Sequence, residues 1–155
     1  MFLILLFLHS LFRWLVLISL IYTIIFFASK YIRKLPFTNS DNRIRHWTAT
    51  IAHLQLLIGM AIYFKSPVVS YFRSPEKKLI SGINDFSFYG LIHISMMITA
   101  IVIITLGSAF SKREDNEQKK FFLVVICYGI ALLIILCAIP WPFSPLAQRP
   151  FFRNL

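Results

Sequence analysis

Four long apolar runs dominate the sequence, at about 2–28, 47–64, 86–110 and 121–139. Each is close to the roughly 20 residues that a helix needs to cross a bilayer. In hydrocarbon every backbone N–H and C=O must find an internal partner, so such a chain folds as a helical bundle or as a closed barrel. The runs show no strand alternation, which leaves the all-α solution. The fourth run is stopped by "PWPFSP", because proline cannot continue a helix. The connections "SKYIRKLPFTNSDNRIRH", "KSPVVSYFRSPEKKLISGIND" and "SKREDNEQKK" are short, so successive spans should run antiparallel. The expected fold is a polytopic membrane protein with one domain over 1–155, an antiparallel up-down four-helix transmembrane bundle. The middle connection carries prolines at 67 and 75 and is expected to hold a short amphipathic segment, either on the membrane or as a lid between helices.

Composition supports this class. The 155 residues are 58% hydrophobic and 14% charged, whereas soluble domains carry roughly a quarter charged residues. The formal charge of +10 would suggest nucleic acid in a soluble protein. Here the cations lie mostly in the connections, where they orient the chain and meet headgroups, so the expected partner is the lipid bilayer and not nucleic acid. The first and third connections hold Lys30, Arg33, Lys34, Arg43, Arg45, Lys112, Arg113, Lys119 and Lys120; the middle connection and tail hold Lys65, Arg73, Lys77, Lys78, Arg149 and Arg153. Nine against six puts both termini outside, on the periplasmic side of a bacterial inner membrane. Tyr63, Phe64, Trp141 and "RPFFR" read as outer interfacial anchors and Trp47 as an inner one. The first run has no basic leader and no A-x-A site, so it is expected to be a retained span. Cys127 and Cys137 form no CxxC or metal motif and read as buried small hydrophobes.

The informative residues are the polar ones inside the spans. Each of the first three spans carries one histidine, namely His9, His53 and His93, while His46 sits at a helix start. Ionisable groups inside a membrane are costly and usually face the bundle interior. His9 and His93 each lie about 10 Å below the same end of their spans, and the first and third spans are diagonal partners in an up-down bundle. Two imidazoles so placed could ligate opposite faces of a haem iron. His53 lies roughly one turn deeper and is the alternate ligand, or a hydrogen-bonding group. The same three histidines could instead hold copper or zinc. Gly90, three residues before His93, is expected to clear space on the ligand's face for a flat macrocycle, with Met97 as a soft thioether beside the same pocket, and Gly59 and Met60 after His53 repeat the pairing. Gln55 faces away from His53 by about 200°. Arg13 lies one turn inward from His9, and no Asp or Glu occurs within the spans. A haem propionate or a quinone oxygen would satisfy it. There is no CxxCH, so any haem would be b-type.

The stretches "LHSLFRW", "AHLQLLIGMAIYF" followed by "SP", "HISMMITAIVIITLG" and "IPWPFSPLAQRPFFR" resemble a family of small bacterial four-span membrane proteins labelled cytochrome b or cytochrome b-like. The resemblance covers nearly the whole chain. It implies a haem-binding bundle in the inner membrane, with His9, His53 and His93 at the family's histidine positions and Arg13, Gln55 and Met97 at its other recurrent positions. One departure is "LGSAFSKR", which has serine where the family pattern has a basic residue. The expected function is haem-mediated electron transfer, with quinone or a respiratory complex as partner. The competing readings are a non-redox membrane subunit or assembly factor whose histidines only bridge helices, and a haem-dependent membrane oxidase with one open axial position.

Overall fold

In the computed structural model, which describes residues 1–74, 84–144 and 147–150, the chain is helical and has no strand among those residues. Four helices are long and apolar enough to cross a membrane: α1 (Phe2–Ile32), α2 (Asn39–Lys65), α4 (Asp85–Arg113) and α5 (Glu117–Ala138). A seven-residue helix, α3 (Pro67–Arg73), follows α2 directly. The expected all-α four-helix bundle is therefore present, with each helix somewhat longer than its apolar run. Lys77, Lys78 and Arg153 in the charge count, and the Phe151–Arg153 part of the "RPFFR" anchor, lie outside the described residues.

Helix ends follow local chemistry. The Thr38 side chain caps α2 and Asp41 returns the bond to the Thr38 N–H, a capping box. Ser66 caps α3, with proline at its first turn. Asn116 caps α5. At the other end of α5, Ile139 takes an extended backbone (ψ 128), as a residue before proline must.

The helices pack as a square. α1 touches α2 and α5, and α4 touches the same two, so α1 and α4 face each other across a diagonal. The contacts between helices use small residues: Ala49, Ala52, Ala100, Ala131 and Ala138 are all buried. Large aliphatics such as Ile18, Leu57 and Leu133 point outward and are more than 60% exposed. That inverted distribution suits lipid, where close backbone approach and interhelical hydrogen bonds hold helices together. A bond between the Thr23 and Thr48 hydroxyls (2.8 Å) joins α1 to α2. Gly107 sits against Cys127, whose Cβ occupies the place a Gly107 side chain would need. Cys137, expected inside, is exposed on the outer surface, because the small-residue face of α5 turns away from it.

The two ends of the bundle differ. At the end formed by the α1–α2 and α4–α5 connections, Lys30 pairs with buried Asp41 at 2.5 Å. Arg45, also buried, donates to the Ser108 carbonyl and hydroxyl and to Asn42 Oδ1. The Tyr128 hydroxyl donates to the Arg45 carbonyl (2.9 Å). At the end that carries both termini, α5 stops at Ala138 while α1, α2 and α4 continue past it.

Candidate cofactor cavity

The early stop of α5 opens a cavity of about 280 Å3 between the three continuing helices. Its walls include His9, Arg13, Gln55, Gly59, Met60, Tyr63, Tyr89, His93 and Met97. Pro67, Val68 and Val69 of α3 close one side, and Pro140, Arg149 and Pro150 of the tail lie at another. The middle connection thus does provide a short segment over a space between helices.

The end of α5 also determines how His93 is held. The last carbonyls of a helix lack intrahelical partners, and here Pro140 prevents the helix from supplying them. His93 Nδ1 lies 2.8 Å from the Ala138 carbonyl. A carbonyl can only accept, so Nδ1 carries the proton and Nε2 keeps its lone pair. Trp141 Nε1 donates to the Leu136 carbonyl in the same way (2.9 Å). Immediately before His93, residues Phe88–Ile92 form a π-helical turn, a local widening often found at functional sites. The Tyr63 hydroxyl donates to the Gly90 carbonyl in that turn (3.0 Å). Gly90 does not clear space for a ligand, as its spacing from His93 suggested. A Cβ there would overlap the Phe72 ring, so the glycine admits α3.

His9 approaches from the opposite helix. Its ring centre is 6.4 Å from that of His93, and the ring planes are inclined by 69°. A Cβ on Gly59 would stand 3.3 Å from His9 Cε1, so this glycine makes room for the imidazole. Gln55, one turn before Gly59 on the same face, donates to the His9 carbonyl (3.0 Å). The buried atoms His9 Nδ1 and Gln55 Oε1 have no hydrogen-bond partner among the described residues. Arg13 is gripped by aromatic faces, its guanidinium 5.4 Å from the Trp14 ring centre and 5.9 Å from that of Trp141.

His53 lies elsewhere. It is not among the residues lining the cavity. Its Nδ1 is 2.6 Å from the Ala49 carbonyl and its Nε2 is 3.1 Å from the Thr105 hydroxyl on α4. Both ring nitrogens are therefore engaged, in a bridge between α2 and α4. Among the described residues no group of three or more His, Cys, Asp or Glu converges, so the three histidines do not assemble into a shared copper or zinc site. The opposition of Gln55 and His53 around α2 is real: one faces the cavity and the other the groove against α4.

Three cavity residues carried no signal in the sequence. Tyr63 reads as an interfacial aromatic, Tyr89 is moved by the π turn, and Arg149 comes from a tail without periodicity. Comparison with known proteins finds no matching family model, no matching curated protein and no matching solved structure.

Proposed function

We propose that this chain is a b-type cytochrome of the bacterial inner membrane, with His9 and His93 as the axial ligands of one haem and both termini on the periplasmic side. The observation that carries the reading is the 6.4 Å between the two ring centres. Two imidazoles bound to opposite faces of one iron, each by a bond of about 2 Å, keep their ring centres roughly 6.3 Å apart. The donor chemistry fits as well. The Nδ1–H of His93 is spent on Ala138, which orients the ring and leaves Nε2 for a metal. Arg13 lines the same cavity and would neutralise a propionate, with Met97 as a soft neighbour to the macrocycle. Bound there, haem would supply a one-electron couple for transfer within the membrane, with quinol as the donor class. The surrounding aliphatic walls would exclude water and so set the potential through burial. The excess of cations in the first and third connections over those in the middle connection and tail, nine against six, supports the orientation.

A second reading is a non-redox subunit whose histidines only join helices, and His53 behaves in that way. A visible spectrum of the detergent-purified chain, expressed with haem precursor, separates the two. The cytochrome reading expects a Soret band with sharp low-spin α and β bands, lost in His9→Ala and in His93→Ala and kept in His53→Ala. A colourless protein eliminates it.

A further inference from the structure

We propose that Gln55 is the positioning residue of His9: its side-chain oxygen accepts the His9 Nδ1–H and so leaves Nε2 as the lone-pair nitrogen of that ring. The inference rests on the haem reading for what Nε2 then does, but the hydrogen bond itself needs no iron. Two buried atoms of residues lining the cavity have no hydrogen-bond partner among the described residues, His9 Nδ1 and Gln55 Oε1. They are complementary. An amide oxygen can only accept, and an imidazole nitrogen that carries the ring proton can only donate. Enclosed atoms are out of reach of solvent, and a buried polar atom left unpaired is costly. Each is the partner that the other lacks.

The backbone already brings the two side chains together. Gln55 Nε2 donates to the His9 carbonyl (3.0 Å), which pins the amide to the residue whose ring needs an acceptor. Gly59, one turn further along the same face of α2, stands against the ring itself. The place of its missing Cβ is 3.3 Å from His9 Cε1 and 3.6 Å from Nδ1. The Nδ1–Cε1 edge of the ring therefore faces α2, the helix that carries Gln55. What remains is a turn of the ring about its Cβ–Cγ bond, a torsion with broad minima, beside a glycine that leaves it room. Such a turn hardly moves the ring centre, so the 6.4 Å separation from His93 survives it. His93 has the completed form of this arrangement, its Nδ1–H bonded to the Ala138 carbonyl at 2.8 Å. With Gln55 as acceptor, both histidines present Nε2, one oriented by the end of α5 and the other by an amide of α2.

The test uses the full chain in detergent, with isotope-labelled histidine and ring-nitrogen NMR; the His9 signals are identified by their loss in His9→Ala. In the ligand-free chain, at a pH where imidazole is neutral, His9 should carry its proton on Nδ1. Gln55→Leu, which removes the acceptor, should abolish that preference. Gln55→Glu, which keeps an acceptor oxygen but loses the amide donor, should retain it. Added haem should bind about tenfold more weakly to Gln55→Leu than to the wild type, and within about twofold of the wild type to Gln55→Glu. A wild-type His9 protonated on Nε2 overturns the proposal, as does a tautomer that Gln55→Leu leaves unchanged. Equal losses in Gln55→Leu and Gln55→Glu also overturn it, because the amide would then act only through its bond to the His9 carbonyl. A chain that takes up no haem yet shows the Gln55-dependent tautomer supports the hydrogen bond and removes the cytochrome reading. Low-spin haem held equally well by the wild type and by Gln55→Leu does the reverse.

Discussion

Each end of the bundle carries an arginine within its helices, and the two are used differently. Arg45, at the end away from the termini, is 4% exposed and bonded to Ser108 and Asn42. Its own carbonyl accepts from Tyr128. Helices α2, α4 and α5 meet on that one residue, and the nearby Lys30–Asp41 pair adds α1. Arg13, at the other end, lines a cavity beside a histidine whose Nδ1 is buried without a hydrogen bond among the described residues. Both ends leave buried atoms without a hydrogen bond among the described residues, Arg45 Nε and Ser111 Oγ at one and His9 Nδ1 and Gln55 Oε1 at the other. At the second end the residues that carry them line the cavity, so that end is where a ligand is expected, while the cross-linked end is where stability resides.

The largest test of that contrast is at the cavity. His93→Ala should remove the low-spin spectrum altogether while changing the unfolding of the ligand-free chain by only about 1 kcal/mol, the worth of one hydrogen bond. At the opposite end the balance should reverse. Asp41→Ala leaves Lys30 without its partner and also deletes the bonds to the Thr38 N–H and hydroxyl. Breaking a buried pair costs about 3 kcal/mol, so thermal unfolding in detergent should begin well below the wild-type temperature. The cavity should still take up haem in whatever fraction remains folded. A variant of Asp41 that loses haem binding while its folding is intact would show that the ends are coupled, and would break the comparison.

The bundle was legible in the sequence because each apolar run is long and the physics of lipid admits few answers. The facing of His9 and His93 was legible too, since equal depth and diagonal placement follow from topology alone. What spacing could not give was set by irregular backbone. Tyr89 and Gly90 lie in a π turn, and periodicity of 3.6 misplaces them. Gly90 reads as clearance for a macrocycle until α3 is seen to bring Phe72 against it. Arg149 enters from a segment with no helical repeat. His53 reads equally as an alternate ligand or as a hydrogen-bonding group because burial in a span does not distinguish a cavity from a groove between helices.

Gly107→Ala probes the packing that both ends share. An added methyl would overlap Cys127, and overpacking of this kind costs about 2 kcal/mol. Because the closest conflict is with the Cys127 Cβ and a lesser one is with its Sγ, Cys127→Ala should give little relief and Cys127→Gly should restore much of the loss. Haem uptake per folded molecule should not change, since neither residue lines the cavity.

The smallest expected effect is the most discriminating for the histidines. Thr105→Val deletes the hydroxyl opposite His53 Nε2 and nearly preserves shape. Hydrogen bonds between membrane helices contribute about 0.6 kcal/mol on average, so the change in unfolding should be barely resolved. The visible spectrum should not move. If His53 instead belongs to the haem site, freeing its Nε2 alters the ligand set, and the low-spin bands should shift or lose intensity in Thr105→Val as they would in His53→Ala. A spectrum that responds to Thr105 would therefore transfer the ligand role from the His9–His93 pair to one that includes the α2–α4 groove.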